Sequence, residues 1–239
     1  GDGLYKLNLK TKKFSKEFLF TSYLSNHIYK MVANVNDLWV ATEGGLIKKN
    51  LTTGKSEIFN TLKGLKHNSI FDIKRLRDGS VAIASHSNEL SIIKKGEITH
   101  LMVADIDQLM DIVDIETDKE NNLWLATLGN GVFKQELDSF IQISSETGLK
   151  SDYCYSIVAD NISGMWIGHR GGLSRVNQKT MAVQVFDIKQ GINFDFNKGA
   201  SYIDKNKNVW FGTNKNVMKF DSEKFFKNTT PPAVSIKNI

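Results

Sequence analysis

The sequence predicts an all-β chain built as a β-propeller of four-stranded blades, on three observations. The first is a tryptophan phrase that recurs as Trp39-Val-Ala-Thr, Trp124-Leu-Ala-Thr, Trp166-Ile-Gly-His and Trp210-Phe-Gly-Thr, with a degenerate copy at Val81-Ala-Ile-Ala-Ser. Positions 39, 81, 124, 166 and 210 lie 42, 43, 42 and 44 residues apart, and a period in the low forties built from short apolar runs marks one blade per repeat. The second is that each period holds apolar runs of strand length separated by Gly, Asn, Asp and Ser clusters. The third is the absence of any helical period, with both prolines, Pro231 and Pro232, beyond the last repeat.

Taken in order, Gly3-Leu-Tyr-Lys-Leu-Asn-Leu-Lys-Thr matches Gly45-Leu-Ile-Lys-Lys-Asn-Leu-Thr-Thr, so the chain enters halfway through a blade at its third strand, C. The repeat around Trp124 shows the whole plan. Leu109 to Glu116 is the inner strand A, Asp118 to Asn122 a turn, and Leu123 to Thr127 strand B. Gly129-Asn-Gly131 closes a tight hairpin, Val132 to Gln135 is strand C, and Phe140 to Ile143 the outer strand D. The other inner strands begin at Ile28, Ile70, Cys154 and Gly199. About five and a half blades result: a partial blade at 1–22, then 23–62, 63–102, 103–145, 146–188 and 189–227. Asn228-Thr-Thr-Pro-Pro reads as a linker to a further domain over 228–239. Trp39, Trp124, Trp166 and Trp210 are structural: a flat side chain on strand B fills the space between two twisted sheets.

The 239 residues carry a formal net charge of +5, with 41 % hydrophobic and 24 % charged residues, as a globular domain does. The lysines are spread over the repeats instead of clustering with aromatics, which argues against nucleic acid. A single cysteine, Cys154, excludes an internal disulfide and reads as a small buried side chain. No apolar run reaches membrane-span length, and the first residues lack a signal-peptide pattern, so the sequence reads as a window cut from something longer. No motif calls for a cofactor.

Gly64-Leu-Lys-His-Asn-Ser-Ile-Phe-Asp-Ile, Gly148-Leu-Lys-Ser-Asp-Tyr-Cys-Tyr-Ser-Ile-Val-Ala-Asp and Leu123-Trp-Leu-Ala-Thr-Leu-Gly-Asn-Gly-Val resemble the propeller repeats of hybrid two-component sensors. The resemblance runs over essentially the whole chain, and departs in the repeat with Val81 in the tryptophan slot and Ser85-His-Ser-Asn-Glu in place of the threonine and glycines. It implies a seven-bladed parent propeller, a neighbouring propeller, an immunoglobulin-like domain that Thr229 to Ile239 would open, a membrane helix and a cytoplasmic histidine kinase. By the same resemblance the segment lies outside the cytoplasm, makes no membrane contact of its own, belongs to a homodimeric parent and responds to oligosaccharides. No residue here can be assigned to phosphotransfer.

Ligand chemistry is expected on the face formed by the loops into strand A and the B–C hairpins, where several blades converge. The first set offers His27, His67, Asp107, Asp152, Tyr153 and Asn197; the second offers Glu43, His86, Asn130, Arg170 and Lys215. This mixed ring suits hydroxyl-rich or acidic sugars, with Tyr153 as platform and Arg170 as planar donor. His67, His86 and His169 fall on the same face and raise the alternative of a general base, as in a propeller lyase, although no metal-ligand spacing supports a site. A third reading is a structural propeller that transmits state between domains.

Overall fold

The computed structural model describes residues 3–17, 27–160, 162–192 and 194–223. The expectations for 18–26, for the outer strand of the last blade, and for the linker and immunoglobulin-like start after residue 223 lie outside the described residues.

The fold is a five-bladed β-propeller of antiparallel sheets, preceded by a two-stranded sheet of β1 (Leu4–Leu7) and β2 (Phe14–Glu17). Blade 1 runs β3 (Ile28–Ala33), β4 (Asp37–Thr42), β5 (Gly45–Asn50), β6 (Ser56–Phe59). Blade 2 is β7 (Ile70–Arg75), β8 (Val81–Ser85), β9 (Glu89–Lys94), β10 (Glu97–Met102). Blade 3 is β11 (Ile112–Thr117), β12 (Leu123–Thr127), β13 (Val132–Glu136), β14 (Ser139–Ile143). Blade 4 is β15 (Cys154–Ala159), β16 (Gly164–His169), β17 (Gly172–Asn177), β18 (Val183–Phe186), and blade 5 shows β19 (Phe196–Ile203), β20 (Asn208–Thr213) and β21 (Val217–Asp221). Within each blade, strands pair in chain order.

β11 starts at Ile112 and not at Leu109, because the Met110 backbone is already engaged. Its N–H donates to the Asn88 side chain (3.1 Å) and its carbonyl accepts from the Ser87 N–H (2.9 Å), tying it to the neighbouring blade. Glycine-leucine pairs acquire a physical reason. Short 3₁₀ turns at Thr61–Lys63, Ser145–Thr147 and Ile188–Gln190 end on Gly64, Gly148 and Gly191 in the left-handed region, and the next residue (Leu65, Leu149, Ile192) plugs the core.

Each of the four seams between consecutive blades is an apolar cluster centred on strand B. Trp39 packs with Val81 and Ile93 of blade 2, Trp124 with Met165 and Val176 of blade 4, and Trp166 with Val209 and Phe220 of blade 5. Each indole is directly paired, on strand C, with a cation: Lys48, Lys134, Arg175 and Lys219 stand opposite Trp39, Trp124, Trp166 and Trp210. Their charged groups lie 5.3, 5.7, 5.9 and 4.8 Å from the ring centroids. An aspartate six residues upstream accepts the indole N–H in three blades: Asp118 (3.1 Å), Asp160 (3.2 Å) and Asp204 (2.9 Å). The same carboxylates accept backbone N–H groups of the A–B turn, so one residue closes the turn and anchors the ring. The indole and amide donors outweigh burial and hold the Asp204 carboxyl down at about 2.

The register corrects one reading. Thr42, Ser85 and Thr127 face the first residue of their inner strands, Ile28, Ile70 and Ile112. Three residues back from each lie Trp39, Ala82 and Trp124. Ala82, not Val81, therefore holds the tryptophan position of blade 2, and Val81 points the other way, against Trp39. A strand alternates faces at every residue, so a one-residue offset moves a side chain to the opposite seam.

Trp124 is fully buried, whereas Trp210 is only partly so. Trp124→Ala should cost about 3–5 kcal/mol in denaturant unfolding, and Trp210→Ala clearly less; equal losses would contradict the seam assignment.

Candidate functional site

All five inner strands carry a register shift near their start, at Ile28/Lys30, Ile70/Asp72, Ile112/Asp114, Cys154/Ser156 and Phe196/Ser201. A bulge re-aims the side chain beside it. Lys30, Asp72 and Asp114 converge here: Lys30 Nζ is 3.2 Å from Asp72 Oδ1 and 4.0 Å from Asp114 Oδ1. Asp72 Oδ2 accepts the Ile115 N–H of the next blade (2.8 Å), and Asp114 Oδ2 accepts the Ile157 N–H of the one after (2.8 Å). From blade 5 the Ser201 hydroxyl donates to the Ile157 carbonyl (2.8 Å). Burial first, and then the facing Asp72 charge, pushes the Asp114 carboxyl well above the usual carboxylate range. Burial opposes the Lys30 charge, but Asp72 and Asp114 outweigh it and raise the lysine. Sequence reading missed these residues because they sit inside apolar strand runs. Their spacing of 42 residues (30, 72, 114) was the available signal.

Above this inner ring lies the loop face. His86 bridges to Asp111 of the next blade, and Leu128 likewise bridges to Tyr153. The His86 Nδ1 is 2.6 Å from Asp111 Oδ1, and the His67 ring meets His86 edge-on with centroids 5.7 Å apart. His67 Nδ1 accepts the Ser69 N–H (3.0 Å), which places the neutral ring's proton on Nε2. His27 pairs with Glu43 at 2.9 Å. Among the described residues, no group of three or more His, Cys, Asp or Glu could hold a metal ion.

The second cluster is built on Tyr153. The residue is 42 % exposed, and its ring carries the Arg170 guanidinium 4.0 Å from the centroid. Arg170 is tethered by its own N–H to the Tyr153 carbonyl (3.0 Å). A hydrogen bond to the Tyr155 phenol, aided by the Asp195 carboxylate, holds the guanidinium proton more tightly still. Asp195 Oδ1 accepts the Gly171 N–H (2.9 Å), fixing the hairpin beside Arg170. Asp111 and Asp195 escaped the sequence reading, although stepping 42 residues either way from Tyr153 finds both.

Other candidates separate. Asp152 spends its carboxylate on Ser145, taking the backbone N–H (2.6 Å) and the hydroxyl (2.7 Å). Asn197 donates to the Thr213 carbonyl (3.0 Å). Asn130, between Gly129 and Gly131, has its carbonyl bound by Gln142 (2.9 Å). Asp107 and Lys215 are exposed. His169, expected on the loop face, is wholly buried. It holds the hairpin position that Thr42, Thr127 and Thr213 fill elsewhere, where each hydroxyl donates to a hairpin carbonyl. His169 does the same work through the Arg170 carbonyl (3.2 Å) and the Ser174 hydroxyl (2.7 Å). Cys154 is buried too, and that burial raises its thiol.

No protein-family model and no curated protein matches the chain. Solved structures do. The chain is folded like the extracellular domains of hybrid two-component systems. It superposes on that of BT4673 from B. thetaiotaomicron with TM-score 0.73 and 19 % identity, covering 91 % of this chain and 30 % of that one. For BT3049 of the same organism the TM-score is 0.75 and the identity 16 %, over 93 % and 31 %. Virginiamycin B lyase from Staphylococcus aureus gives 0.63 and 14 %, over 82 % and 70 %. The chain thus spans under a third of the two extracellular domains it matches, and at these identities the likeness is one of fold. No helix among the described residues is long and apolar enough to cross a membrane.

Burial lowers the His169 imidazole to about 4, so it is neutral in the fold while the unfolded chain takes up a proton near pH 6.5. Its contribution is intact above about pH 6.5 and drains away as pH falls toward 4, on the order of 3 kcal/mol in all. In pH-dependent thermal melts, His169→Thr should therefore lose less stability than the wild type across this window.

Proposed function

We propose that this chain is an extracytoplasmic sensor module of a membrane histidine kinase and that it recognises an oligosaccharide on the loop face around Tyr153 and Arg170. The observation that carries the reading is the tethered pair itself: a half-exposed aromatic residue locked under a planar five-donor group, with the Asp195 carboxylate of the next blade beside it. The fork donates to sugar hydroxyls or a uronate carboxylate, the Asp195 carboxylate accepts from hydroxyls, and the rigid hairpin limits the ordering cost of binding. The likeness to two-component extracellular domains supports the sensor role. The ligand would act by binding one arrangement of a dimeric parent more tightly than the other, which is all a ligand can do to bias a kinase. Control of carbohydrate-utilisation genes would follow downstream.

A second reading rests on the 2.6 Å His86–Asp111 pair beside His67: an imidazole oriented by a carboxylate is the form of a general base. Here the chain would act as a lyase or hydrolase.

Calorimetry of the complete extracytoplasmic region against neutral and uronate oligosaccharides should find a binder, with Arg170→Ala and Tyr153→Ala each weakening it at least tenfold. A panel without a binder, or variants that bind equally well, would remove the sugar reading. Turnover of any sugar or lactone that disappears in His86→Ala would favour the second.

A further inference from the structure

Four of the five blades complete the seam unit with an indole; blade 2 does not. The whole unit is replaced there. The A–B turn of blade 2 closes with the Leu76 N–H on the Ser80 carbonyl, as Asp118 closes on Asn122 and Asp160 on Gly164. Leu76 is thus the counterpart of the indole-binding aspartates. Ala82 stands for the tryptophan, and Ile92, paired directly with Ala82, stands for the cation. Acceptor, ring and cation have all become apolar, and the ring has lost nearly all its bulk.

The facing sheet has not closed the gap. Between blades 2 and 3 lies a cleft of about 670 Å³ whose lining joins four apolar residues, Leu76, Ile92, Leu101 and Leu123, to polar and charged ones. That volume falls in the range of about 300–1,000 Å³ usual for small-molecule sites. Gln135 of β13 also lines it. At the other seams the residue in this place is apolar: Ile93 faces Trp39, Val176 faces Trp124 and Phe220 faces Trp166. Gln135 keeps its amide on local backbone, accepting the Leu123 N–H (3.3 Å) and donating to the Leu137 carbonyl (3.2 Å), so a guest would meet mainly its aliphatic stem. The Lys94–Asp78 ion pair (2.7 Å) marks the polar margin.

We propose that this cleft is a binding site for a small, planar, uncharged aromatic molecule of about indole size. The fold itself argues for that occupant, because the same inter-sheet position holds an indole in every other blade. An apolar space left by a missing large side chain accepts aromatic guests. At the ring position itself the acceptor and the cation are replaced by apolar Leu76 and Ile92, and the charged lining residues, Asp78, Lys94, Lys95 and Glu97, sit at or beside the A–B and C–D turns of the blade. The site stands apart from the loop-face clusters, sharing none of Tyr153, Arg170, His86 or Asp111.

Indole itself is the probe, titrated into the intact chain and followed by ligand-observed NMR or calorimetry. Wild type should bind it, and Ala82→Trp, which rebuilds the missing ring, should weaken binding at least tenfold. Gln135→Phe, which places at this seam what Phe220 provides at another, should do the same and serves if the first variant does not fold. Arg170→Ala should leave indole affinity unchanged, separating this site from the sugar reading. No indole binding up to its solubility limit, or undiminished binding in the filled variants, would overturn the proposal.

Discussion

Everything in this molecule hangs on filling the wedge between two twisted sheets. Blades splay from the tunnel outward, and small side chains would leave a void at each seam. An indole fills the wedge, but its N–H must not be buried unpaired. In blades 3, 4 and 5 the A–B turn aspartate supplies the acceptor, and in all four indole-bearing blades a strand C cation stands by the ring. The same aspartate also caps the turn that brings strand B back beside strand A. In those three blades local hairpin closure and long-range blade stacking draw on a single carboxylate, and in blade 2 acid, ring and cation are all replaced.

The division of labour between seam and rim follows. Seam residues repeat with small variation because each blade presents the next with the same geometric problem. Rim residues differ from blade to blade at fixed steps: Ser69, Asp111, Tyr153 and Asp195 occupy equivalent places with quite different chemistry. A wheel that varies its rim while keeping its seams can change what it recognises without changing how it folds.

Much of this was legible in the chain alone. Tryptophan spacing carried the blade count, and hairpin glycines and turn residues carried the strand order. Failures had specific causes. Val81 was assigned the tryptophan place because an interval of 42 or 43 cannot fix strand register to one residue, which only the pairing of Ser85 with Ile70 decides. His169 looked like a rim residue by position, yet it does the hairpin work of a threonine. Asp72 and Asp114 were hidden in apolar runs, since nothing in a strand pattern shows that a bulge will turn one side chain inward. The His86–Asp111 contact joins residues from different blades, and only the stacking of sheets reveals it.

The hub of the wheel has one mechanical property. Asp72 and Asp114 each grip the peptide backbone of the following blade, and Ser201 grips back onto blade 4. Tilting any one of these sheets about its innermost strand must stretch a linkage to the adjacent one. The linked sheets thus turn as coupled members, and a push at one sector is passed around the axle to its neighbours.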